Sequence, residues 1–256
     1  SELLLSKILS KRREEVLSNL EQNICQNHFS EYKKLIQRRS HNEPMAYILE
    51  EKEFWSKNFF VSQDTLIPRP ETELMVEKLV KIFKKKKISV LDIGTGSGCI
   101  IISLLGELCN SKGVGIDISK KAVLIAKKNA AKHKILDKIK FLNKSLDSEL
   151  NQKFDLIVSN PPYIKSNEIK NLKEDIKKYE PRIALDGGND GLDVIKKVIY
   201  KTRYILKAKG TLALEIGNEQ FIKVSEILKK KNFRIEHVIT DYKDNVRCII
   251  STNINV

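Results

Sequence analysis

From Ile88 to Ser251 the chain alternates short, continuously apolar stretches with longer amphipathic ones, which leaves very few architectures open to it. The spacing predicts strands at 88–93, 113–117, 139–142, 154–159, 210–216, 234–238 and 247–251, and helices at 98–108, 119–132, 190–206 and 219–231. Strands that are apolar on both sides and separated by helices belong in a sheet covered on both faces. The expected fold is therefore α/β and doubly wound, around a mostly parallel sheet of seven strands.

The first third of the chain follows another rule. Residues 2 to about 46 hold no glycine, and Leu4, Ile8 and Leu9, then Val16, Leu17 and Leu20, recur near helical spacing. A second helical stretch runs from Phe29 to Ile36, and Pro44 is placed to open a short turn at Met45. Phe54, Trp55, Phe59, Phe60 and Val61, interrupted by Ser56-Lys57-Asn58, predict a β-hairpin. The prolines of Leu66-Ile67-Pro68-Arg69-Pro70 make a stiff connector, after which Glu71 or Thr72 starts a helix to about Phe83. The expected division is a small helical domain with its hairpin, 1–66, followed by the sheet domain, 67–256.

Composition narrows the function. The apolar fraction of 41% supports a sizeable core. Cys25, Cys99, Cys109 and Cys248 are scattered without a C-x-x-C pair, so neither a metal cluster nor a disulfide framework is expected. The longest strongly apolar run, Cys99 to Leu105, is about a third of the roughly 20 residues a bilayer requires, and no signal pattern opens the chain. A cytoplasmic protein is expected. The net charge of +14 comes from 47 basic residues of which only nine are Arg, the side chain that bidentate phosphate or base contacts favour. The charge speeds encounter with RNA or with an acidic protein and does not choose between them.

Two segments carry chemistry. The first predicted strand runs into Asp92-Ile93-Gly94-Thr95-Gly96-Ser97-Gly98 and then a helix. A glycine turn lets a ligand approach closely, and the helix start offers free N–H groups. A dinucleotide fingerprint needs glycine where Cys99 stands. Asp117 ends the next strand, 19 residues past Gly98, where a carboxylate can accept from two ribose hydroxyls. After the strand 154–159 comes Asn160-Pro161-Pro162-Tyr163-Ile164. Its prolines lack N–H groups and fix φ, so the turn is rigid and rich in acceptors, and Tyr163 adds a flat face. Such a turn suits a planar NH₂ group with two hydrogens to place.

The glycine motif and Asp117 resemble those of class I S-adenosylmethionine-dependent methyltransferases, a Rossmann-like fold. The turn resembles the N-P-P-Y/F of enzymes that methylate nitrogen conjugated to a π system. In order along the chain stand Ile67-Pro-Arg-Pro-Glu-Thr-Glu73, the glycine motif, Asn160-Pro-Pro-Tyr-Ile164, Tyr179-Glu-Pro-Arg-Ile-Ala-Leu185, Gly187-Gly188, Asp190-Gly191-Leu192, Leu214-Glu215-Ile216-Gly217 and Asp241-Tyr242 leading to Arg247. The full set resembles the bacterial release factor glutamine-N5 methyltransferases, the PrmC/HemK family, over essentially the whole chain. The resemblance implies methyl transfer from S-adenosylmethionine, leaving S-adenosylhomocysteine, to the glutamine of the Gly-Gly-Gln motif in class I peptide chain release factors. It modulates translation termination and requires no metal, membrane or direct nucleic-acid contact.

By the same resemblance Asn160 and the Pro161 carbonyl hold the glutamine amide, with Pro162 and Tyr163 lining the substrate site. Asn160, Pro161 and Tyr163 are the expected catalytic residues. Gly94, Thr95, Gly96, Ser97, Gly98, Asp117, Leu146 and Asn160 are the expected cofactor residues. Leu146 stands where many family members place an aromatic residue to cover the adenine. Residues 1–66 are expected to help grip the release factor, and the basic charge to assist docking on an acidic partner. The alternatives are methylation of a ribosomal-protein glutamine or of a nucleic-acid amino group, and a non-enzymatic translation-factor binder.

Overall fold

The computed structural model describes residues 2–19 and 21–254, so Leu20 lies outside the described residues. Four helices open the chain: α1 (Glu2–Leu9), α2 (Arg13–Leu17), α3 (Gln26–Ser40) and α4 (Met45–Leu49). Only Leu4 and Val16 are buried in the first three, and α3 fully buries no side chain, leaving Phe29 and Ile36 exposed. α4 starts behind Pro44 and buries Tyr47 and Ile48.

β1 (Glu51–Phe54) and β2 (Lys57–Phe60) form an antiparallel hairpin with Phe54 opposite Lys57 and Glu53 opposite Asn58. The break expected at Ser56-Lys57-Asn58 is instead the two-residue turn Trp55-Ser56, both at φ +52°. Two positive φ values match the right-handed twist of the strands, which a longer break would not. The cost of that backbone is met from outside the hairpin. Glu73 accepts the Trp55 N–H at 3.1 Å, and Glu107 accepts the indole N–H at 3.1 Å. Phe54 and Phe59, both fully buried, pack into the core of the sheet domain, so the hairpin shares its core with the sheet. Each contributes about 1.5–3 kcal/mol by leaving water.

Then follow α5 (Pro70–Phe83), β3 (Ser89–Ile93), α6 (Cys99–Glu107), β4 (Lys112–Asp117), α7 (Lys120–Lys132), β5 (Ile139–Asn143), β6 (Phe154–Ser159), α8 (Glu174–Tyr179), α9 (Asp193–Ile205), β7 (Leu206–Glu215), α10 (Phe221–Lys230), β8 (Phe233–Thr240) and β9 (Val246–Asn253). The sheet order is β5-β4-β3-β6-β7-β9-β8. Neighbours are parallel as far as β7; β9 runs antiparallel to both β7 and β8. One core cluster holds α5, α6 and α7 with the hairpin; the other holds α9 and α10. The sheet is thus covered on both faces. No helix among the described residues is long and apolar enough to cross a membrane.

Strand order places the site. β3 pairs with β4 on one side and β6 on the other, Ile93 standing level with Ile116 and with Ser159. Strands are added outward from β3 first on one side, β4 then β5, and next on the other, β6 then β7, so the loops after β3, β4 and β6 open a crevice at the carboxyl ends of the strands. The Ser159 hydroxyl donates to the Ile93 carbonyl at 2.8 Å and ties two of those loops together.

Candidate active site

The turn after β3 is held open by backbone bonds: Gly94 and Thr95 N–H both donate to the Ile116 carbonyl, at 2.9 and 3.0 Å. Gly94, Gly96 and Gly98 all have positive φ, between +54° and +80°. At Gly98 a Cβ would also come within 2.9 Å of Ile102 and 3.2 Å of Ala126, so glycine is needed to seat α6 against α7. The Asp117 carboxylate closes the turn from the next strand, its two oxygens accepting Gly96 N–H and Ser119 N–H at 2.9 Å each. Burial raises the Asp117 pKa, and those backbone bonds oppose the shift.

Around this turn lies a cavity of about 280 Å³, near the lower end of the range for small-molecule sites. Gly94, Thr95, Gly96, Ser97, Asp117, Leu146, Asn160, Pro161 and Pro162 all line it. Gly98 does not; it caps α6 behind the turn. Tyr163 lies instead in an adjoining cavity of about 170 Å³ with Leu66, Arg69 and Ile164. Asn160 lines both, as do Leu66, Arg69 and Ala184, and so stands at their junction. Burial pushes the Tyr163 phenol up to about 12, so it remains a neutral hydroxyl at physiological pH.

The arrangement fits a nucleoside-bearing ligand. A carboxylate has about four acceptor positions, and Asp117 uses two, leaving others for hydroxyl donors. No atom would lie within 4 Å of a Cβ on Gly94. Ile118, which is 53% exposed, joins Leu146 as an apolar wall. Sequence reasoning missed Ile118, although its place directly after the acid was a usable signal.

The turn Asn160–Ile164 is gripped from three sides. Ile164 N–H donates to the Leu185 carbonyl and Gly187 N–H to the Ile164 carbonyl, at 3.0 and 2.8 Å. Gln220 Nε2 donates to the carbonyls of Tyr163 and Gly191 at 3.0 and 3.1 Å, while its Oε1 accepts Gly217 N–H at 2.8 Å. Gly191, at φ +72°, would bring a Cβ within 2.5 Å of the Tyr163 carbonyl oxygen. The glycines at 187–191 are thus a bed for the turn. Gln220 gave no sequence signal, since its partners are far away in the chain.

Asn129, fully buried on α7, joins the hairpin to the glycine turn. It accepts Phe60 N–H at 2.7 Å and donates to the carbonyls of Phe60 and Ser97 at 2.9 and 2.8 Å. An asparagine inside an alanine-rich helix is a poor helix former, and that was the only hint of its work. Arg69 reaches Glu180 at 2.5 Å, and Glu180, 5% exposed, also accepts Ile67 N–H at 3.2 Å. The proline-rich connector is thereby clamped beside the mouth.

Residues 68–245 match the family described as Methyltransferase small domain, and residues 1–49 match the PrmC N-terminal domain. A Release factor glutamine methyltransferase from Buchnera aphidicola subsp. Acyrthosiphon pisum is 40% identical over 250 residues, covering 98% of this chain and 90% of the relative. The chain belongs to the release factor glutamine methyltransferase family. The Bifunctional methyltransferase of Rickettsia typhi is 36% identical over 99% of the chain, which spans only 53% of that relative's length. The crystal structure of the ribosomal protein L11 methylase from Lactobacillus delbrueckii subsp. bulgaricus shares the fold, with a TM-score of 0.56 at 20% identity over 74% of this chain and 81% of its own.

Four acids are buried among the described residues: Glu43, Asp92, Glu180 and Glu215. Asp92 is fully buried, accepts the Thr95 hydroxyl at 2.7 Å through Oδ2, and has no hydrogen-bond partner on Oδ1. Burial, reinforced by Asp117 and opposed by Thr95, pushes it up to about 7. The native state therefore holds a proton that the unfolded chain has released between about pH 4 and pH 7, so stability falls as pH rises through that window. Asp92→Asn should flatten this part of the profile by an amount on the order of a few kcal/mol. Urea melts of both proteins from pH 4 to 8 check it; parallel profiles would place the titration elsewhere.

Proposed function

We propose that the chain transfers a methyl group from S-adenosylmethionine to the side-chain amide nitrogen (N5) of the glutamine in the Gly-Gly-Gln motif of class I peptide chain release factors. The observation that carries the reading is the position of Asn160, at the junction of a nucleoside-sized cavity and a second, smaller one. The relatives named for release factor glutamine methylation support the substrate.

Asp117 would hold the ribose hydroxyls, Ile118 and Leu146 the adenine, and the turn Gly94–Gly98 the rest of the cofactor. S-adenosylmethionine, when bound, supplies an electrophilic methyl on a positively charged sulfur. The chain supplies the rest. An amide lone pair is delocalised and weakly nucleophilic. Asn160 Oδ1 and the Pro161 carbonyl accept its two N–H bonds, fix its plane and stabilise the positive charge that grows on nitrogen as the N–C bond forms. The surplus N–H proton is then strongly acidic and leaves through the mouth to water. No side-chain nucleophile takes part. Cys99 lines the cavity, but burial pushes its thiol up to about 12 and keeps it neutral.

The helices α1 to α4 serve as the docking unit for the release factor. α3 fully buries no side chain and exposes Phe29 and Ile36 among lysines and arginines, which suits an acidic partner with apolar spots. A release factor substrate places the reaction in the cytoplasm.

Labelled methyl transfer tests the reading, with purified release factor beside a copy whose Gly-Gly-Gln glutamine is alanine. Label on the native factor alone is expected. Label appearing instead in ribosomal protein or RNA would overturn the substrate and leave the fold untouched.

A further inference from the structure

Against Asn160 stand two linked polar residues that the transfer chemistry does not use. Thr72, near the start of α5, is 2% exposed, and Glu215, the last residue of β7, is 3% exposed. A fully buried carboxylate is costly, and an apolar side chain at the same place would avoid that cost. What the pair achieves is directional. Burial pushes the Glu215 carboxyl up to about 7; above that pH it is ionised and only accepts, so the Thr72 hydroxyl donates to its Oε2, at 2.7 Å. The hydroxyl's single proton is then spent, and only its lone pairs face Asn160. Asn160 answers with its NH₂, Nδ2 donating to Thr72 Oγ1 at 3.4 Å. The opposite orientation would set the amide oxygen against another acceptor.

We propose that Thr72 and Glu215 form a positioning relay that fixes which end of the Asn160 amide faces the transfer point, keeping Oδ1 forward as an acceptor. With the amide reversed, Asn160 would present donors to a substrate NH₂ that has only donors to offer, and the alignment would be lost. Thr72 also lines the larger cavity, so the relay reaches from the protein interior to the site wall. This rests on the proposed role of Asn160 in amide methylation, and its test includes a measurement that needs no turnover.

The variants are Thr72→Val, which removes the hydroxyl at nearly constant volume, and Thr72→Ser, which restores it. Thr72→Val is expected to lower kcat about 10- to 100-fold with cofactor Kd within a few-fold of the parent, and Thr72→Ser to recover most of the loss. In an Asn160→Ala background Thr72→Val should add nothing further, because the relay acts only through that amide. Independently, the Asn160 side-chain NH₂ signal, assigned in nitrogen-15 spectra by its loss in Asn160→Ala, should shift and exchange faster in Thr72→Val and return in Thr72→Ser. Additive losses in the double variant, no rescue by serine, or an unmoved NH₂ signal would each overturn the relay and make Thr72 a structural pin. A wild-type protein that labels no release factor would instead overturn the substrate, with the NH₂ signal still testing the relay.

Discussion

Asn160→Ala is expected to lower kcat by about 10²–10³-fold while leaving S-adenosylmethionine binding within a few-fold of the parent. The expectation follows from what the rest of the turn cannot replace. Pro161 and Pro162 hold φ, the glycine bed and Gln220 hold the backbone, and Tyr163 keeps its separate cavity, so the turn retains its shape without the side chain. What disappears is one of two acceptors for the substrate NH₂, and with it the alignment of the nitrogen and part of the stabilisation of its growing charge. Single-turnover transfer to release factor together with calorimetric titration of the cofactor separates the two quantities. A parallel loss of cofactor affinity would make Asn160 part of the cofactor wall alone.

Asp117→Ala is expected to weaken cofactor binding by about 100-fold or more, because each hydrogen bond from a ligand hydroxyl to a charged carboxylate contributes about 1.5–3 kcal/mol. The same carboxylate holds Gly96 N–H and Ser119 N–H, so its removal also loosens the glycine turn from the start of α7. Asp117→Asn keeps one side-chain acceptor and should fall between the two. Calorimetry at constant ionic strength reads the affinity directly. A dissociation constant within threefold of the parent in the alanine variant would show that the ribose is held elsewhere.

Much of the site was legible because its signals are local. A glycine turn between an apolar strand and a helix, an acid at the end of the following strand, and an Asn-Pro-Pro turn each owe their shape to backbone rules acting over a few residues. The connector motif 67–73 was legible as a stiff segment and as part of the family pattern, but its contacts were not, since its residues work with distant partners. Arg69 reaches Glu180, Thr72 reaches Glu215, and Glu73 reaches the Trp55 N–H. The hairpin turn was misplaced for the same reason: Trp55 and Ser56 adopt positive φ under the hold of Glu73 and Glu107, and nothing in their own side chains favours that backbone. Likewise Phe29 to Ile36 is helical in the sequence pattern and in the structure, but only the packing shows that this helix fully buries no side chain.

The sequence by itself determined the alternation that makes a two-faced sheet, the glycine turn after β3, and the rigid acceptor turn after β6, because hydrophobic period and local backbone sterics act between near neighbours. Tertiary structure alone decided that these turns meet across β3 and that the hairpin joins the sheet core. It alone decided that Gln220 and Asn129 tie loops together, and that a linked, buried threonine and glutamate stand against Asn160. Those facts depend on contacts between residues up to 143 positions apart, and side-chain hydrogen bonds of that range leave no period in the chain to be read.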